Sequence, residues 1–337
     1  MRKLAKIAKI EKIEKHPNAD TLDVCTIGGW NVIAKSNLHK LGDLVVYCEI
    51  DSWIPYELAP FLTKEGSEPK IFNNVKGQVL KTVRLRGLLS QGLILPIRET
   101  ILKDQPLQEG DDVTEVLSVL KYEKPLPATL AGVIRGAFPG IVPKTDAERI
   151  QNLYIELEAW CQGNEEFNVT EKLDGCSATF IKNNNDIHVC SRNWSLCEDE
   201  SNTFWKIFNT YNIKNALNNI PFNCAIQGEI VGPGIQENMY QLHKPTFFIF
   251  NIYNIDKKQY ISFEEMKRYC AENNLNTVPY ISTTTLTNDH TITNLLNTAD
   301  GISSLNEKVY REGLVYRGVN NLNICFKTIS NTWLLKK

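Results

Sequence analysis

Lys172-Leu-Asp-Gly175 places an amine and a carboxylate side by side, and that combination can do chemistry at phosphorus. A lysine attacks phosphorus only as the neutral amine, and an unperturbed lysine is almost wholly protonated at pH 7. The site is therefore expected to lower the Lys172 pKa with nearby cations or desolvation. Asp174 follows two residues later, so along an extended stretch both side chains point to one face. Farther on come Gln227-Gly-Glu229, Phe247-Phe-Ile-Phe-Asn-Ile252, Glu312-Gly-Leu-Val-Tyr-Arg317 and Phe326-Lys327. Lys327 adds a cation and Glu312 a second carboxylate. Magnesium takes oxygen ligands, keeps several waters and bridges to substrate phosphates, so two acidic residues are sufficient. Asp174 and Glu312 are the metal residues expected here, acting through water. Taken alone, either one reads as half of a surface ion pair, and a lone K-x-D-G arises too easily by chance to carry an assignment. The ordered set carries it.

These groups need rigid elements behind them. Phe167–Glu171 reads as a strand running into the lysine, with Gly175 as a tight turn before a second strand at Ser177–Ile181. Further strands are expected at 187–191, 223–231, 246–253, 313–317 and 323–328, with helices at 203–217 and 263–273. Ser262-Phe-Glu-Glu265 is a capping box for the second helix. Thr145-Asp-Ala-Glu148 reads as another, opening a helix whose stripe is Ile150, Leu153, Tyr154 and Leu157 and which Gly163 ends. Arg149 would then be a solvent-facing helix residue. Strands and helices mixed without βαβ alternation imply an α+β domain with antiparallel sheets over 145–337.

Residues 1–120 read differently. Candidate strands at Leu22–Ile27, Asn31–Ala34, Leu44–Glu49, Val79–Arg86 and Gln91–Pro96 are separated by turn signals, which suggests a small antiparallel barrel. Ile7, Ile10 and Ile13 have period three, which fits a helix better than a strand. Pro17-Asn-Ala-Asp20 has the composition of a turn. Between the two regions, residues 121–144 alternate Pro125, Pro127, Pro139 and Pro143 with Gly132, Gly136 and Gly140, which suits a linker or an extended active-site loop.

Composition narrows the class of protein. With 337 residues, 42% hydrophobic and 23% charged, the chain suits an ordinary globular protein of two domains. No apolar run is long enough for a bilayer, and the charged N-terminus is not a signal peptide. Nine cysteines without a C-x-x-C pair argue for reduced thiols inside a cell, cytoplasm and nucleus being left open. Five isolated histidines make a histidine metal site unexpected. The net charge of −2 permits a nucleic-acid partner without demanding one, because basic groups collect at both ends, Arg2 to Lys15 and Lys327 to Lys337. The N-terminal run by itself reads as a solvated face.

The motif set resembles that of the ATP-dependent polynucleotide ligases and capping enzymes. Glu14-Lys-His-Pro-Asn-Ala-Asp-Thr-Leu22 resembles the H-P-N-A-D motif of oligonucleotide-binding (OB) barrels, which implies a first strand in the lysine-rich run. Ligases of DNA and capping enzymes carry their OB domain after the last motif. Here ten residues follow Lys327 and a barrel precedes the catalytic region. That layout, with Pro143–Asn152 and Ile329–Leu335, resembles the RNA ligases of the Naegleria and Deinococcus type. The resemblance implies an N-terminal OB-like β-barrel followed by an α+β nucleotidyl-transferase (ATP-grasp-like ligase) domain. It implies ATP with Mg²⁺ or Mn²⁺, and Lys172 as the nucleophile that becomes lysyl-AMP. Nucleotide contacts would come from Glu171, Lys172, Arg192, Asn193, Glu229, Phe248 or Phe250 stacked on adenine, Val315 closing the other side of the base, and Lys327. Arg149 would meet the departing pyrophosphate. Each has a plainer reading: Arg192-Asn193 as a turn, the phenylalanines as core, and Lys336, a further candidate cation, as a solvated tail. The last motif shows one close lysine where some relatives have a pair.

The expected activity is sealing of RNA with 3′-hydroxyl and 5′-phosphate ends, a nicked duplex being one form, in RNA repair and by a monomer. An RNA-binding module with a degenerate nucleotidyl-transferase fold is the alternative from another class, and a DNA ligase or capping-type transferase the alternative within the enzymes. Intact Lys172, Asp174, Glu229, Glu312 and Lys327 argue against degeneration.

Overall fold

The computed structural model describes residues 3–123 and 133–336, and its contacts divide the chain into two compact units, 1–125 and 126–337. Pro125, Pro127 and Gly132 of the expected linker, and Arg2 and Lys337 of the terminal basic groups, lie outside the described residues. Within the remainder of 121–144, Ile134–Ala137 forms a strand, and Arg135 ties it by a two-pronged contact to Asp186.

The first unit consists of short antiparallel strands in sheets of three, two, four and three strands among the described residues. Ile7, Val46, Cys48, Ile54 and Leu95 share its buried core. The lysine-rich opening is two strands, Ala5–Lys9 and Lys12–Lys15, and not a helix. The first pairs with Leu44–Cys48 and the second with Leu22–Ile27, so the chain changes sheets near Glu11. That step leaves Ile7 and Ile10 both buried and produces the period of three without a helical turn. The expected strand Val79–Arg86 is also two pieces. Val75–Val79 pairs with Ser52–Pro55, while Val83–Leu85 forms a hairpin with Leu88–Ser90.

Among the described residues, the second unit mixes helices with two sheets. The larger runs in the order Ile134–Ala137, Trp194–Leu196, Asp186–Cys190, Cys176–Asn183, Cys224–Val231, Thr246–Asn254, Gln259–Tyr260, and Asn276–Thr277 also pairs with Thr246–Asn254. Alternation decides its faces. Phe180, Ile226, Ile230, Phe247 and Ile249 turn to a core built with helices Thr203–Thr210, Ile213–Asn219 and Phe263–Glu272. The helix expected over 203–217 breaks at Asn212, whose φ is 49°. Ser262 caps the last helix by accepting the Glu265 N–H at 3.2 Å.

The smaller sheet has the order Glu148–Arg149, Cys325–Ile329, Gly313–Gly318, Glu166–Lys172, Tyr280–Thr285. Phe167, Val169, Leu314, Tyr316 and Phe326 line one face and pack against helices Tyr154–Gln162 and Ile292–Ala299. Phe326 stacks on Tyr316 at 4.6 Å and on Trp160 at 5.4 Å. The expected capping box at Thr145–Glu148 is not one. Glu148–Arg149 is a strand paired in parallel with Phe326 and Lys327, and the helix begins only at Tyr154. A strand far along the chain claims this backbone, and no local pattern contains that partner.

Phe180 is fully buried between Phe247 and Phe208, with ring centroids at 5.1 and 5.7 Å. Phe180→Ala is expected to cost about 3–5 kcal/mol of stability. Denaturant unfolding reads this directly, and an unchanged midpoint would contradict the core described here.

Candidate active site

The strand Glu166–Lys172 belongs to the smaller sheet and the strand Cys176–Asn183 to the larger one. Leu173-Asp174-Gly175 is therefore a crossover between sheets and not the turn of a hairpin. Gly175 is required for space: a Cβ there would run into the Ile230 carbonyl oxygen and the Val231 side chain. Leu173 is buried in a cluster with Val231, Tyr240 and Val278. The Asp174 N–H donates to the Tyr240 hydroxyl at 2.7 Å. Three local constraints thus fix where the strand stops and its lysine projects.

Glu312 is brought to the lysine from 140 residues away, and its carboxylate accepts from Lys172 Nζ at 2.7 Å. Gly313 follows it because a Cβ at that position would strike the Thr328 carbonyl oxygen, and the Glu312 carbonyl accepts the Ser330 N–H at 2.9 Å. Glu229 reaches the same place from the strand Cys224–Val231. Burial pulls the Lys172 pKa down, but Glu312, Glu229 and Asp174 pull it up, and the net shift is upward. This is the direction in the protein without the divalent cation on which the expected lowering depends. Without bound cations, carboxylates outnumber the amine, and their field outweighs desolvation. Glu229 shows the other side of the imbalance. Burial pushes its pKa up to about 8, Lys172 opposes the rise, and Glu312 and Asp174 add to it.

Register places the remaining residues. Arg149, Lys327, Val315 and Thr170 pair in sequence across four strands of the smaller sheet and so share a face. Thr170 and Lys172 alternate with Glu171, so the lysine lies on that face too. Arg149 is a buried strand residue and not a solvent-facing helix residue, because the parallel pairing fixes it opposite Lys327. On the larger sheet Ser177, Glu229 and Phe248 form a row. Phe248 and Phe250 are half-buried beside Tyr240 and Val278, whereas Phe247 and Ile249 belong to the core.

Glu171 falls on the opposite side from Lys172. Its carboxylate is buried and accepts from the Ser303 hydroxyl and from the Ser304 N–H at 2.7 Å. Lys336 rests over the Tyr310 ring, 3.9 Å from its centroid. Arg192 donates to Asp146 at 2.7 Å, and the Asn193 side-chain oxygen accepts from Lys144 at 2.8 Å. Thr145 and Ser177 share a hydrogen bond at 2.8 Å, and Gln227 donates to the Pro143 carbonyl at 2.9 Å. Pro143–Asp146 is thereby strapped along the strands that hold Ser177 and Gln227 and against the bend at Arg192 and Asn193. The hydrogen-bond partners of this segment and the role of Tyr240 are not foreseen from the sequence, because no local signal marks a hydrogen bond to a distant strand.

A model of the RNA ligase family matches residues 165–331, and an OB-fold domain model matches residues 4–97. Among solved structures, a lysine-to-alanine mutant of Naegleria gruberi RNA ligase with ATP and Mn is 38% identical, with a TM-score of 0.92 over 99% of both chains. A glutamate-to-alanine mutant of that ligase with AMP and Mn gives 38% identity and a TM-score of 0.92 over 100% of this chain and 99% of the other. The same ligase with PPi gives 38% and 0.91 over 99% and 98%. None of the curated proteins compared matches the chain.

The raised Glu229 pKa has a consequence for stability. Against an ordinary value of 4.5, a folded value of about 8 means that the folded state binds more protons than the unfolded state between those limits. Stability of the ligand-free protein therefore falls as pH rises through that window. Glu229→Gln is expected to flatten this dependence and to raise the melting temperature above pH 8. Thermal unfolding from pH 5 to 9 without nucleotide or metal checks it, and parallel wild-type and mutant profiles would refute it.

Proposed function

The chain belongs to the RNA ligase family, and on that premise we propose that it seals RNA ends bearing a 3′-hydroxyl and a 5′-phosphate with Lys172 as its nucleophile. It is an ATP-dependent RNA ligase built from an OB-fold domain and a nucleotidyl-transferase domain, proposed to divide near residues 121–144. In this reading Lys172 Nζ attacks the α-phosphorus of ATP, forming an N–P bond as the bond to pyrophosphate breaks. An oxygen of the RNA 5′-phosphate then attacks the phosphorus of lysyl-AMP, forming a P–O–P bond as the N–P bond breaks and the Lys172 amine is released. The 3′-hydroxyl attacks that phosphate, the phosphodiester forms and AMP leaves.

The observation that carries the reading is the Lys172–Glu312 contact at 2.7 Å, set among further carboxylates where the chain crosses between sheets. Glu312 Oε2 is positioned to take the proton that the amine must lose. The excess of acidic groups suits a divalent cation, Mg²⁺ or Mn²⁺, which Asp174 and Glu312 would hold through water. No group of three or more metal-ligating side chains is preformed among the described residues, consistent with a cation that keeps waters and shares substrate oxygens. When bound, such a cation neutralises phosphate charge and weakens the pull of the carboxylates on the amine.

The other residues follow their rows. Glu229, Arg192 and Asn193 would hold the ribose, and Phe248 or Phe250 with Val315 would enclose adenine. Lys327 and Arg149 would meet the phosphates. Glu171 would act from behind, through the loop at Ser303 and Ser304. The reaction as written needs one copy of the chain, so the working form is read as a monomer.

Incubation with radiolabelled ATP and Mg²⁺ or Mn²⁺ is expected to yield a covalent adduct that Lys172→Ala abolishes. Lys327→Ala is expected to slow adduct formation roughly 10²–10³-fold, the scale for removing one charge-stabilising donor. A wild-type protein without adduct would leave a nucleic-acid-binding module as the better reading. Labelling by GTP in place of ATP would indicate capping chemistry. Equal sealing of deoxyribose and ribose 3′ ends would count against RNA specificity, and comparing nicked with single-stranded substrates identifies the preferred form.

A further inference from the structure

From residue 69 to residue 98 the chain has six basic residues and no acidic one, in a protein whose net charge is −2. Three of the six, Lys81, Arg84 and Arg86, belong to or adjoin the hairpin Val83–Leu85/Leu88–Ser90, and all three are exposed. The hairpin is exposed from Val83 to Gly87, with Val83 at 42% and Leu85 at 37%. A two-stranded hairpin without a core behind it is marginal by itself. Here the second strand is anchored at buried Ser90, whose hydroxyl accepts the Ile33 N–H at 3.0 Å, and the exposed first strand and tip are held from elsewhere.

The holding groups come from the His16-Pro-Asn-Ala-Asp20 turn. His16 is buried, and its Nδ1 accepts the Asn18 N–H at 3.1 Å. Nε2 then carries the ring proton and donates it to the Leu85 carbonyl at 3.1 Å. Asn18 Nδ2 donates to the Arg86 carbonyl at 2.9 Å. At the tip, Arg86 and Gly87 take φ values of 47° and 97°, the left-handed pair of a tight two-residue turn, and Arg84 donates to the Gly87 carbonyl at 3.1 Å. The turn motif thus fixes an exposed arm in one conformation. Its cations differ from those of the N-terminal run, where Lys12 pairs with Glu14 and Lys15 with Asp23. Among the described residues, Lys81, Arg84 and Arg86 face no carboxylate partner at ion-pair distance.

We propose that the Val83–Ser90 hairpin is an RNA-binding arm, with Lys81, Arg84 and Arg86 gripping the phosphodiester backbone and His16 and Asn18 positioning it. The choice of RNA as the polyanion rests on the ligase reading. Cations carried on a backbone fixed at the turn suit a phosphate chain, and exposed Val83 and Leu85 offer apolar contact to sugars or bases. The arm contributes affinity for the strand and plays no part in attack on ATP.

The test uses the full-length protein and fluorescence anisotropy with a 5′-phosphorylated RNA at several salt concentrations. The triple variant Lys81→Ala/Arg84→Ala/Arg86→Ala is expected to bind about tenfold or more weakly. Its slope of log affinity against log salt should fall by about 2, at roughly 0.7 for each single-strand phosphate that is no longer neutralised. Lysyl-AMP formation should stay within about twofold of wild type, which also reports an intact fold. Arg84→Lys/Arg86→Lys should keep the slope, while His16→Ala should lower affinity and keep the slope. A triple variant with wild-type affinity and slope would overturn the proposal. So would displacement of RNA, charge for charge, by polyglutamate, which would indicate an acidic protein partner. A wild type that forms no lysyl-AMP would fail the ligase reading separately, and the binding curves would still decide the arm.

Discussion

The crossover at Leu173-Asp174-Gly175 is the constraint on which the second unit depends. One strand must end in the smaller sheet and the next begin in the larger one, with only three residues between them. That span brings the Lys172 face of one sheet toward the Glu229 face of the other, and it is possible because Gly175 leaves room for the backbone of Ile230. Gly313 repeats the device beside Glu312, where a side chain would strike the Thr328 carbonyl. Close backbone approach is what lets three separate carboxylates surround one amine.

Such a cluster is costly to the free protein. Burial is the main cause of the rise of the Glu229 pKa to about 8, and the charges of Glu312 and Asp174 add to it. The lysine relieves part of it by staying protonated against Glu312. A site in this condition favours cations and phosphate together, since each removes a charge the other brings.

Local patterns mislead where a distant partner claims the backbone. Thr145–Glu148 has the letters of a capping box, yet pairing of Arg149 with Lys327 makes the segment a strand. The isoleucines at 7, 10 and 13 have helical spacing because the chain changes sheets between two short strands. The basic stretch from 69 to 98 is present in the composition, but its meaning depends on the His16–Leu85 and Asn18–Arg86 contacts that fix the hairpin.

By itself the sequence set out the candidates for the chemistry: a lysine, acidic residues and a second lysine in a fixed order, with a strand-rich region ahead of them. It also determined the alternation that sends Phe247 and Ile249 to the core and leaves Phe248 and Phe250 half-buried on the Glu229 side, because strand periodicity is local. Only the tertiary structure decided that K-x-D-G is a crossover between sheets, that Glu312 comes from 140 residues away to accept from Lys172, and that Glu171 faces away. It also decided the direction of the lysine's pKa shift. Those outcomes depend on which charges converge from strands far apart in the chain, and the distances that set an electrostatic field are not written in neighbouring letters.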